Sequence, residues 1–287
     1  MLLPLRSRQQ AAKGMRQRFR ARSQAGFTLV ELAIVLAVIG LIIGAVAIGK
    51  DVQRNAEYTK IKNKFIDQWE QAYNQYYQRT GVVLGDSQTQ PRLMVNGVQY
   101  TAAAGAPTSG GNMTAVTSPG AICREAGPAN AALGGGGLAL PGTTQTTLRD
   151  LFLRVGVRMP PGRAEGFEDR YVYLDSNGNP QEIQVCFLWQ PPGTPSGAGN
   201  VMVITGLTPD LARSIDQMVD GKPDAREGRF RQFGVTQAAG EANAPGIEWT
   251  VNNTYQMGAA ATTADTSGRA LDEDQVFAVA GVLKMNQ

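Results

Sequence analysis

Residues 32–49 read LAIVLAVIGLIIGAVAIG, an unbroken stretch without a charge. A helix of this length spans roughly 27 Å, about the thickness of a bilayer's hydrocarbon core. Adding Phe27, Leu29 and Val30 carries the apolar stretch back to position 27, interrupted by Glu31 as its single charge. A core helix of a soluble domain seldom stays apolar on every side for so long, because one of its faces meets water. The run therefore predicts a membrane-crossing helix over 27–49. Glu31 stands out within it, since a carboxylate at the edge of such a helix costs several kcal/mol by most scales unless it is paired, roughly 2.5–3.5 at the helix centre. It either reaches back to the interface or meets a cation from another chain.

The charge distribution sets the orientation. The first 26 residues carry seven basic side chains (Arg6, Arg8, Lys13, Arg16, Arg18, Arg20 and Arg22) and no acid. By the positive-inside tendency they stay on the cytoplasmic side. The whole chain holds 27 basic and 24 acidic residues. Without those seven, the remainder has 20 against 24, a net of −4. The basic character thus belongs to the leader, and nucleic-acid binding is not indicated for the rest. There is no histidine, which removes His-based triads, His metal sites and His-ligated haem.

Three fates for the N-terminus follow from the residues. The helix is an anchor that is never cut, or Ala45-Val46-Ala47 serves an ordinary signal peptidase and releases a chain beginning at Ile48, or cleavage falls before the apolar run, between Gly26 and Phe27. The string Gly26-Phe27-Thr28-Leu29-Val30-Glu31, set between a basic leader and an apolar helix, closely resembles the N-terminal signature of type IV pilins and type II secretion pseudopilins. The resemblance covers about residues 20–80. It implies cleavage by a prepilin peptidase after Gly26 and methylation of the new N-terminal Phe27. It also implies an assembly salt bridge between Glu31 and the terminal amine of a neighbouring subunit. The implied partners are copies of the chain, other pilins, the prepilin peptidase and an inner-membrane assembly platform. The implied location is the bacterial inner membrane with a periplasmic head, and then a pilus or pseudopilus filament.

Beyond the membrane run, residues 51–79 contain neither Pro nor Gly. Tyr58, Ile61, Phe65, Trp69, Ala72 and Tyr76 recur at spacings of three and four, one apolar stripe. Gly81 supplies the expected helix stop. Residues 101–147 are dominated by Ala, Gly, Thr, Ser and Pro, including Gly134 to Gly137, and read as a surface loop. Leu148, Leu151, Phe152 and Val155 predict a short amphipathic helix. Tyr171–Leu174 and Ile183–Phe187 predict a hairpin, Val201–Ile204 a further strand, and Ile247–Val251 and Val276–Leu283 weaker ones. Thr208-Pro209-Asp210 opens a helix that Gly221 closes. The expected class is α+β, with a long N-terminal helix packed on a mostly antiparallel sheet in a pilin-like arrangement. The expected organisation is a leader over 1–26, a membrane or filament-core helix over 27–49 and its amphipathic continuation over 50–80. A variable loop region with a short helix follows over 81–168, then a sheet region over 169–287.

Two further sites are expected. Export would place Cys123 and Cys186 in an oxidising compartment, where a bridge would contribute roughly 3–4 kcal/mol in the chain-entropy model; two separate thiols are the alternative. Asp175, Asn177 and Asn179 alternate as in short calcium loops, but the twelfth position of such a loop is Cys186 rather than an acid. A plain hairpin turn competes with calcium there, and no other cofactor is expected. No nucleophile–base set stands out, so the chain reads as a structural subunit rather than an enzyme. The alternatives are a pseudopilin or minor pilin of a secretion or DNA-uptake system, and a membrane-tethered or secreted binding protein or enzyme.

Overall fold

The computed structural model describes residues 27–100, 116, 118–123, 147–175, 178–235, 249, 255–256, 271–272 and 278–285. The chain divides into two compact units, Met1–Asp51 and Val52–Gln287. Helix α1 runs over Leu29–Ile61, a single π-helical turn follows at Lys62–Ile66, and α2 covers Asp67–Thr80. Then come α3 (Leu148–Arg154), β1 (Arg170–Leu174), β2 (Pro180–Gln190), β3 (Gly199–Leu207), α4 (Pro209–Asp220) and β4 (Phe230–Gln232). The short pair β5 (Tyr255–Gln256) and β6 (Leu271–Asp272) precedes β7 (Val279–Lys284). The main sheet has five strands in the order β1-β2-β3-β7-β4, all neighbours antiparallel. The chain is thus α+β, a long N-terminal helix with an antiparallel sheet, as the sequence predicts.

The expected stripe forms the heart of the second unit. Tyr58, Ile61, Phe65, Trp69, Ala72 and Tyr76 are all buried. Ile66 and Tyr73 are buried as well, on the flank of the same apolar face. The π-helical turn holds about one extra residue per turn and shifts the register between α1 and α2, while α2 keeps its buried residues at the regular helical spacing. Its rings meet the sheet and α3: Tyr73 stacks on Phe187 with centroids 5.5 Å apart, and Trp69 lies 5.9 Å from Phe187 and 6.3 Å from Phe152. Each such aromatic burial stabilises by roughly 1.5–3 kcal/mol. Gly81 ends α2 in the left-handed region, its N–H bonded to the Tyr77 carbonyl, as expected. Arg79 then donates to the carbonyls of Val155 and Gly156, both at 2.8 Å, and ties the helix end to the turn after α3.

The sheet is buried on both faces. Val185, Phe187, Met202, Ile204 and Leu283 face the aromatic core, while Cys186, Val201, Val203, Ala280 and Val282 form a second, smaller cluster with Ala121 and Cys123. Ile122 exchanges two backbone hydrogen bonds with Phe187, extending the β2 edge, and Cys123 is disulfide-bonded to Cys186 beside it. The bridge expected from the inferred compartment is therefore present, and it covers the outer sheet face as well as closing a loop.

Strand β4 was not legible in the sequence; it depends on a side chain in α4. Asp220 accepts hydrogen bonds from the backbone N–H of Arg229 (2.9 Å) and Phe230 (2.8 Å), folding the 221–229 segment back onto the sheet edge. Gly228 is required at this approach, since a Cβ there would stand 2.3 Å from the Asp220 carboxylate. Arg229 also pairs with Glu70 of α2 at 2.5 Å. Of the weaker strand candidates, Val276–Leu283 is realised as β7. Within Ile247–Val251 only Trp249 lies among the described residues, where it is buried outside any strand. Its indole donates to Asp216 at 3.0 Å, a carboxyl that burial and the nearby Asp220 and Asp224 push up to about 7 against that donated bond. Gly134–Gly137 lie outside the described residues.

The Tyr73 hydroxyl is buried without a hydrogen-bond partner among the described residues. Desolvating a hydroxyl with nothing in return is unfavourable by roughly 1–3 kcal/mol. Tyr73→Phe keeps the stack on Phe187 and is expected to raise the stability of the head by about 1 kcal/mol in denaturant unfolding; a loss of stability would show that the hydroxyl is satisfied.

Candidate functional site

The N-terminal helix begins with a cap built from its own residues. Thr28 Oγ1 accepts from the Glu31 N–H at 3.2 Å, and a Glu31 carboxylate oxygen accepts from the Thr28 N–H at 2.8 Å. This reciprocal pair is a capping box, which satisfies two of the four free donors at a helix start. The Thr28 hydroxyl also donates to Glu31 at 3.0 Å. Glu31 is therefore bonded within its own turn, and the i,i+3 Thr–Glu pair is the signal from which this was readable. Phe27, just before the cap, is 83% exposed. Its nitrogen is a peptide N–H while residue 26 is attached and becomes an ammonium only after cleavage. Gly26 lies outside the described residues.

From Leu29 to Gln53 every residue is exposed, including fourteen large apolar side chains from Leu29 to Val52. Removing that many side chains from water is worth on the order of 20 kcal/mol. The helix is long and apolar enough to cross a membrane. Its surface is not uniform. Ala33, Ala37, Gly40, Gly44 and Ala47 follow one another at spacings of four, three, four and three. That repeat keeps small residues on one side of a helix, and Gly40-x-x-x-Gly44 is the spacing that lets two helix backbones approach closely. A Cβ added at Gly40 or Gly44 meets nothing within 4 Å. Glu31 stands two residues before Ala33, about 160° round the helix from it at 100° per residue. The sequence reading missed this stripe because overall hydropathy, which marks the segment as membrane-spanning, does not distinguish Gly and Ala from Leu.

The remaining predicted residues lie apart from this helix terminus in sequence and serve the sheet. Cys123 and Cys186 are joined. Asp175 accepts from the Asn179 N–H at 2.8 Å and from the Gln181 amide at 3.1 Å, so its carboxylate closes the hairpin turn; Asn177 lies outside the described residues. Among the described residues no group of three or more His, Cys, Asp or Glu side chains is placed to hold a metal ion.

Residues 21–47 match the family described as the prokaryotic N-terminal methylation motif, the prepilin signature of type IV pilins and pseudopilins. The match spans the end of the basic leader, Gly26, Phe27, Glu31 and most of the apolar run. No curated protein and no solved structure matches the chain. The chain thus carries a type IV pilin-like N-terminus, fitting a membrane-anchored protein, on a head without a matched relative.

If the small-residue stripe is a helix–helix contact, enlarging it blocks association without affecting insertion. Gly40→Leu with Gly44→Leu is expected to leave the protein in the membrane fraction at wild-type amount while cysteine crosslinking between the helices of two copies falls about tenfold, a change of about 1.4 kcal/mol. Undiminished crosslinking would remove the stripe from the contact.

Proposed function

We propose that the chain is a structural subunit of a type IV pilus-like filament, processed by prepilin peptidase between Gly26 and Phe27, methylated on Phe27 and assembled from the inner membrane through its N-terminal helix. The observation that carries this reading is an all-round exposed apolar helix whose first turn presents Phe27 and a capped Glu31. Cleavage converts the Phe27 nitrogen into a cation. In an apolar surround, an ammonium from a second copy is a stronger partner for Glu31 than the neutral Thr28 donors. Pairing then fixes the axial offset between copies, because only one rise brings the amine to the carboxylate.

The helix offers two different faces, the small-residue stripe and the side bearing Glu31. Contacts between unlike surfaces are heterologous, and repeated without closure they generate a helical filament. The head faces the periplasm before assembly, and the partners are copies of this chain, other pilins and the membrane platform that extracts them. The head unit, Val52–Gln287, favours a second reading as a minor pilin or pseudopilin, since a large head crowds a filament built from it alone.

Glu31→Ala is expected to keep wild-type abundance in the inner membrane and to lower its amount in filaments sheared from cells by at least about tenfold, the equivalent of about 1.4 kcal/mol per contact. Filaments at wild-type level would contradict the role of Glu31.

A further inference from the structure

A cleft of about 380 Å³ lies between the outer side of α2 and the segment after α3. Ala72, Met159, Pro160 and Pro161 give it apolar lining, and Gln68, Gln71, Gln75 and Arg158 its polar lining. The volume falls within the range of ligand sites, and an apolar floor with a few convergent polar groups is their usual construction. Among the described residues, none of these three amides nor the Arg158 guanidinium makes a hydrogen bond or ion pair with the protein. Among the described residues no carboxylate lines the cleft, and Arg158 is the charged group of its lining.

The arrangement selects a ligand by chemistry. A carboxamide offers a donor and an acceptor side by side, matching the C=O and N–H of a peptide backbone. Gln68, Gln71 and Gln75 follow one side of α2 over seven positions, about 10 Å of axis, which is the length of three residues of extended chain. Arg158 binds a carboxylate with two parallel N–H donors. Among the described residues no aromatic ring lines the cleft to stack on a sugar face, and Arg158 attracts an anion. We propose that this cleft binds an extended peptide segment of a partner protein carrying an acidic side chain, with the glutamines on its backbone and Arg158 on its carboxylate. The proposal does not depend on filament assembly, because the cleft is formed entirely by residues of the head unit.

The test uses the detergent-solubilised full chain and side-chain amide NMR signals of Gln68, Gln71 and Gln75. The probe is an acetylated, amidated alanine–serine hexapeptide with one glutamate. The glutamate peptide is expected to shift the three amide signals at millimolar concentration. The same peptide with glutamine should bind about tenfold more weakly, the weight of one charge-assisted hydrogen bond. Arg158→Ala should lower affinity for the glutamate peptide to that of the glutamine peptide, and Arg158→Lys should recover part of it. Equal binding of both peptides would overturn carboxylate recognition. Shifts with a galacturonate trisaccharide and none with the peptide would make this a glycan site and overturn the proposal. No shift with the glutamate peptide at about 10 mM would overturn it outright, since weaker binding is under about 3 kcal/mol.

Discussion

Everything about this protein turns on a helix that is apolar on all sides. From Leu29 to Val52 its large side chains are uncovered, and water is an unfavourable surround for them by on the order of 20 kcal/mol. A bilayer meets that demand, and so does a bundle of like helices. The two surrounds differ in what they do for Glu31. Lipid offers it nothing, so the Thr28–Glu31 box keeps the carboxylate bonded within its own turn. In the proposed assembly, a packed bundle of processed chains would offer an ammonium at the end of each neighbour. The same first turn therefore satisfies the carboxylate in lipid and, on the proposed reading, exchanges its partner in an assembly.

The head is organised by the second half of the same helix system. Phe65, Trp69, Tyr73 and Tyr76 pack on one sheet face, and the Cys123–Cys186 bridge holds cover over the other. Anchors distant in sequence then lock the periphery. Arg79 holds the α3 turn, Glu70 holds Arg229, and Asp220 positions β4. On the opposite side of α2, three glutamines and Arg158 remain without protein partners among the described residues.

What was legible in the sequence was local. The apolar run, the stripe from Tyr58 to Tyr76, the hairpin over Tyr171–Phe187 and the Thr208 and Gly221 caps of α4 each depend on neighbours within a few positions, and each is present. The features that escaped depend on partners far apart in the chain or on a break in periodicity. The π-helical turn at Lys62–Ile66 interrupts the helix without a Gly or Pro to mark it. Strand β4 is held at its start by the Asp220 side chain, which binds the backbone N–H of Arg229 and Phe230, while Phe230 pairs with Leu283 of β7. Trp249 is buried against Phe230 and Asp216 rather than in the expected strand. At the candidate site, Phe27 and Glu31 were readable from the short motif. The capping box and the Ala33–Ala47 stripe were equally present in the residues but hidden by treating the segment only as hydrophobic.

The central claim is that the chain works as a processed subunit beginning at Phe27, and the most direct measurement is the N-terminal residue and intact mass of the protein extracted from membranes. The account predicts a chain starting at Phe27 with the added mass of one methyl group. A chain starting at Ile48 would mean ordinary signal-peptide cleavage, loss of the helix and of Glu31, and would contradict the account.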